Sequence, residues 1–152
     1  MNQLPANIDL LNDIIKVLNG GIKFYNDGLN KIADHNAQAM FNRMLLEKKQ
    51  AVRILSSYLP SQSPESEKCP ATRSKGIKTM YKKLLNTVNP TNAYNYVTQL
   101  KAIEDKVLAK IDNALKEHPP QKLACDLRRI RCRLQQCREE IGTFHYTSAI
   151  AG

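Results

Sequence analysis

Residues 6–34 read ANIDLLNDIIKVLNGGIKFYNDGLNKIAD, and the spacing of their apolar side chains decides the fold. Ile8, Leu11, Ile15, Leu18, Ile22, Tyr25, Leu29 and Ile32 recur at alternating steps of three and four. That period keeps one side of a helix facing a partner. Leu10, Ile14, Val17 and Phe24 widen the stripe to the breadth of a core-facing bundle helix. Gly20 and Gly21 interrupt it, each at about 1 kcal/mol relative to alanine, so a close helix crossing or a kink is expected there. Asp34-His35-Asn36 reads as a tight turn.

The same period recurs along the chain. A second helix is expected over about 37–59, with Phe41, Leu45, Val52, Leu55 and Leu59 on one stripe. Met40, Met44, Ala51, Ile54 and Tyr58 make a second stripe beside it, and Pro60 stops the helix. The prolines and serines of 61–72 mark a loop. A short helix follows over about 74–88, with Ile77, Met80, Tyr81, Leu84, Leu85 and Val88 on its apolar side. Asn89-Pro90-Thr91 opens a long helix to about residue 117, striped by Ala93, Val97, Leu100, Val107, Ile111 and Ala114. After His118-Pro119-Pro120 the last helix, about 120–145, carries Leu123, Leu127, Ile130, Leu134, Cys137, Ile141 and Phe144. The tail from Tyr146 is expected to be loose. Strand alternation is nowhere sustained. Four long helices with one extended connection predict an all-α, ferritin-like four-helix bundle. A long crossover, holding the short extra helix, joins its two hairpins.

The 152 residues fit a single domain, and 42% hydrophobic content is enough for a real core. No stretch reaches the roughly 18 apolar residues of a membrane span, and Met1 to Asp9 lacks the pattern of a signal peptide. Cys125 and Cys132 lie about 10 Å apart along one helix, too far to bridge, and Cys69 sits alone in a loop. Reduced thiols and a cytoplasmic location are therefore expected.

Several short stretches resemble a family of small bacterial four-helix-bundle proteins of ferritin-like type, described only as a domain of unknown function. Leu11-Asn12-Asp13-Ile14-Ile15 resembles its opening motif, and Asn19-Gly20 followed by Phe24 resembles its glycine–aromatic signature. Glu104-Asp105 resembles its Glu-Asp pair. The resemblance implies a ferritin-like bundle, a bacterial cytoplasm and an association with stress responses, and no established reaction. Lys23 stands where the family has its second signature glycine. Gln136-Cys137 or Cys137-Arg138 replaces its His-Asp.

A ferritin-type di-iron centre draws inward carboxylates from four helices and a Glu-x-x-His pair from two of them. No glutamate in this chain is followed by histidine at that spacing, and His35, His118 and His145 fall at or near helix ends. No cofactor is expected. Glu47 and Glu104 nevertheless interrupt apolar stripes near the middle of their helices. The first reading places both at a seam edge, reaching solvent or a nearby lysine or arginine. The alternatives are a remnant carboxylate metal site and a buried polar pair without a ligand. Cys137 reads as a small core residue, whereas Cys132 lies between Arg131 and Arg133, which favours a reactive thiolate.

The formal charge of +9 is unevenly spread. From Lys68 to Ile103 there are seven bases and no acid, and from Lys122 to Arg138 six bases and one acid. Lys75, Lys78 and Lys82 share a face of the short helix, with Lys83 beside them; Arg128, Arg131 and Arg138 share a face of the last. Such a surface suits polyanions, including weak binding to nucleic acid, or else is a solvated basic face. No enzyme motif is present. The expected function is a non-enzymatic bundle acting through a protein partner or through self-association, with no membrane partner.

Overall fold

The computed structural model describes residues 5–32, 34–60, 72–86 and 93–151, and among these there are five helices and no strand. They are α1 (Pro5–Leu29), α2 (His35–Ser56), α3 (Thr72–Asn86), α4 (Ala93–Lys116) and α5 (Gln121–Ala151). Of the loop expected at 61–72, residues 61–71 lie outside the described residues, as does the opening at Asn89–Thr91, while Thr72 already begins α3.

Local chemistry moves several helix ends. The first helix was expected to reach Asp34, but the chain turns at Asn30 and Lys31, whose N–H groups donate to Asp27 and Gly28 carbonyls. Asp34 belongs to the next helix: its Oδ2 accepts from Ala37 N at 2.8 Å, an N-cap that draws His35 and Asn36 into the first turn of α2. α2 stops at Ser56, ahead of Pro60. The expected loose tail is helical instead, since nothing from Tyr146 to Ala151 is a glycine or proline able to end α5. At the other sharp turn, His118 takes a positive φ of 52° before the two prolines.

Paired side chains give the directions of the helices. Gly21 meets Lys48 and Gly28 meets Phe41 across α1 and α2. Asp105 binds Arg138 and Asp112 binds Arg131 across α4 and α5. Arg43 binds Glu140 and Glu47 binds Arg133 across α2 and α5, while Asp13 binds Lys110 and Tyr25 binds Glu104 across α1 and α4. In each case a rising number on one helix meets a falling number on the other. The four contacts are all antiparallel and close a bundle-like ring in the order α1, α2, α5, α4. α3 packs outside it, on α1 and α4.

The stripes of α2, α4 and α5 are buried nearly as spaced, with Leu123, Leu127, Ile130, Leu134, Cys137 and Ile141 all in the core. On α1 the buried line is rotated from the expected one. Leu11, Ile14, Val17, Leu18, Phe24 and Tyr25 are buried, while Ile8, Ile15, Ile22 and Leu29 are half-buried. Gly21 and Gly28 sit on the buried line, and no kink is needed to explain them. A Cβ on Gly28 would stand 2.6 Å from a Phe41 ring carbon, so the glycine is where that ring enters. The close crossing alternative is the one realised.

Candidate functional site

Glu104 on α4 and Lys48 on α2 are the buried charged residues among the described ones, at 2% and 0% exposure. Lys48 Nζ donates to Glu104 Oε1 at 2.9 Å. Tyr25 on α1 and Tyr81 on α3 both donate to Oε2, at 2.6 and 2.7 Å. Four helices thus converge on one carboxylate. The Lys48 ammonium also lies 5.9 and 6.0 Å from the centroids of the Tyr25 and Tyr81 rings, at the outer reach of a cation–π attraction. Phe24 and Phe41 pack on these rings, with Tyr25 edge-on to both at 5.0 and 4.9 Å.

Each member is placed by its helix register. Lys48 lies on the line Ala37, Phe41, Met44, Ala51, Leu55, all buried, and Glu104 on the line Leu100, Val107, Ile111. The absence of a side chain at Gly21 makes the approach possible. A Cβ there would lie 2.9 Å from Lys48 Cδ and 2.9 Å from Tyr81 Oη. Tyr81 therefore passes from the outer helix over α1 to reach the centre. Burial first, and then the Glu104 charge, hold its hydroxyl well above the usual phenol range, so it stays a proton donor.

The edge-of-seam reading of Glu104 is corrected: the carboxylate faces the core, because its three donors replace water. Glu47 does lie at an edge, half-buried, 3.4 Å from Arg133. The two glutamates are therefore held by different cations. Sequence reasoning missed Lys48, the neighbour of the residue it singled out. Its spacing from Phe41, Met44, Ala51 and Leu55 was the available signal. Among the described residues, no group of three or more His, Cys, Asp or Glu side chains is placed to hold a metal ion. Cys137 is buried beside this centre, and burial, then Glu47 and Glu140, push its thiol up to about 11. Cys132 is exposed, and its neighbours Arg131 and Arg133 are directed to Asp112 and Glu47.

The basic residues divide in two. Lys78, Lys82, Lys83 and Arg128 are exposed, while the side chain of Lys75 lies outside the described residues. Arg131 and Arg138 each make a two-pronged contact to an α4 carboxylate, Asp112 and Asp105. The expected arginine face of α5 is thus partly neutralised within the fold.

Residues 6–117 match the family described as "Domain of unknown function (DUF2383)". The span includes all four members of the buried cluster and ends before α5. No curated protein and no solved structure matches the chain. Among the described residues, no helix is long and apolar enough to cross a membrane.

Proposed function

The chain belongs to the DUF2383 family, and from that premise we propose that it is a ferritin-like four-helix bundle acting by association, with protein partners or with copies of itself, and not by catalysis. The antiparallel ring of α1, α2, α5 and α4, with α3 on the connection between its halves, supports the ferritin-like topology. A bacterial cytoplasm and a stress-associated role belong to the same reading, through the resemblance of the Asn19-Gly20…Phe24 and Glu104-Asp105 motifs.

The observation that carries the proposal is the hydrogen bonding of Glu104. A ferritin-like bundle implies a pair of metal ions between inward carboxylates, and the residues here do not fit one. Both oxygens of Glu104 accept from donors, and one donor is a fixed ammonium that would repel a divalent cation. His35 opens α2 and His118 lies in the turn before α5, so neither is at mid-height. With all four members buried, no reacting group in the cluster is open to substrate. Anaerobic Fe(II) titration with metal analysis tests this, and no stoichiometric iron or ferroxidase activity is expected. About two irons per chain, lost in Glu104→Ala, would overturn it. Sedimentation over a wide concentration range tests the self-association half directly.

A second reading, weak binding of nucleic acid or another polyanion, is favoured by the exposure of Lys78 and Lys82 on an acid-free helix. Because Arg131 and Arg138 are engaged in α5–α4 ion pairs, its centre is α3. DNA affinity, read by anisotropy, should then fall by about 0.9 log units per tenfold salt for each phosphate contacted. Lys75→Gln/Lys78→Gln/Lys82→Gln should weaken it without unfolding the chain. Absence of binding in dilute salt would end this reading.

A further inference from the structure

An open hollow of about 500 Å³ lies where α3 crosses α1. Phe24, Tyr81, Leu85 and the bare backbone at Gly20 form its apolar surface, and Lys23, Lys78 and Lys82 border it. Phe24 and Tyr81 are core residues, 2% exposed each, and only their edges reach the floor, so the open apolar surface is that of Leu85, Gly20 and the lysine stems. Gly20 lets α3 come close: a Cβ there would stand 3.1 Å from Lys78 Cγ, so the lysine stem lies against the bare backbone at the edge of the hollow.

The charge on this rim has one sign. None of the lining residues is acidic, and α3 itself holds no acid. The nearby acid is Asp27, one turn along α1, which pairs with the largely exposed Lys23 at 3.0 Å. An exposed pair of that kind is worth under about 1 kcal/mol and yields readily to a competing anion. Lysines from two different helices therefore converge on one apolar concavity.

We propose that this hollow binds a small organic anion with an apolar body, a carboxylate on an alkyl or aryl group, whose charged end meets Lys78, Lys82 and Lys23 while its body lies along Leu85, Gly20 and the lysine stems, above the edges of Phe24 and Tyr81. The volume is within the range of small-molecule sites, about 300–1,000 Å³, and so is the design, apolar walls with a few convergent polar groups. An acidic helical peptide fits less well. Reading anchors from i to i+7 takes about 10 Å of groove on both sides, and α1 contributes only Gly20 to Phe24, about 6 Å. The inference is independent of the association reading, since a bundle without a protein partner could hold such a ligand and the converse is equally true.

The test uses the full chain with anilinonaphthalene sulfonate as fluorescent probe and decanoate, kept below its micellar concentration, as competitor. Decanoate should displace the probe, and decyltrimethylammonium, of equal chain and opposite charge, should not. Lys78→Gln/Lys82→Gln changes two exposed residues outside the core, so its thermal midpoint should be unchanged while decanoate binding weakens roughly five- to ten-fold. Thr79→Phe, which fills the hollow from an exposed lining position, should abolish displacement in a chain that still melts normally. Equal competition by the cationic amphiphile, or unchanged affinity in the double variant, would overturn the proposal. So would capture only by anionic lipid vesicles or only by an acidic helical peptide, with free decanoate inert.

Discussion

Glu104 and Asp105 are consecutive on α4, and each accepts from a cation on another helix, yet the two pairs differ in kind. One step along a helix is a rotation of about 100°, enough to turn Glu104 to the core and Asp105 outward. The Glu104 side chain is 3% exposed and meets an ammonium with no exposure at all. Asp105 is 52% exposed and meets Arg138 at the surface. On α2 the neighbours Glu47 and Lys48 are divided in the same way, one to an edge and one to the centre. The surface pair has water as an alternative partner, so it contributes little. The buried pair has none, and each charge there depends on the other and on the Tyr25 and Tyr81 hydroxyls.

The sharpest way to break this contrast is Glu104→Leu. It leaves the Lys48 ammonium buried without its partner, and a loss of about 3–5 kcal/mol is expected in urea unfolding. Replacing the whole cluster (Lys48→Met, Glu104→Leu, Tyr25→Phe, Tyr81→Phe) should restore most of that stability, since no polar group is then left unpaired. If the fourfold variant is as weak as the single one, packing and not charge burial governs the centre.

Gly21→Ala probes the space that the cluster needs. Its Cβ would overlap both Lys48 and Tyr81 Oη, and a loss of about 1–3 kcal/mol is expected. Gly76→Ala on α3 is the counterpart, with nothing within 4 Å of the new Cβ. There the helix propensity of alanine should act alone, a gain of up to about 1 kcal/mol. Thermal melts that shift in the same direction for both would refute the role given to Gly21. The smallest effect belongs to the outer rung: Asp105→Asn should cost under about 1 kcal/mol, and high salt should erase the difference from the unaltered chain.

Much of this architecture can be read from spacing. The apolar lines of α4 and α5 are legible because leucine, isoleucine and valine at steps of three and four have one stable use, an inward face. Glu104 is legible as an interruption, and Gly20-Gly21 as either a close crossing or a kink, between which spacing does not choose. The partners of Glu104 are not legible. Tyr25 and Tyr81 read as ordinary stripe residues, and Lys48 was passed over for Glu47, because one residue of register decides which of two adjacent polar side chains faces in. The α1 line was misjudged for a related reason: glycine has no hydropathy signal, although Gly21 and Gly28 are on the buried side.

Taken alone, the sequence determined the helical class, the number of long helices, the basic middle segment and the lack of a Glu-x-x-His pair, since each depends on composition or local periodicity. The tertiary structure alone decided that α3 sends Tyr81 over Gly21 to the centre, that Lys48 closes on Glu104, and that Arg131 and Arg138 are spent on α4 carboxylates. Those pairings join residues 19 to 56 positions apart, and whether a charge is neutralised, exposed or buried is a property of what lies across the helix interface.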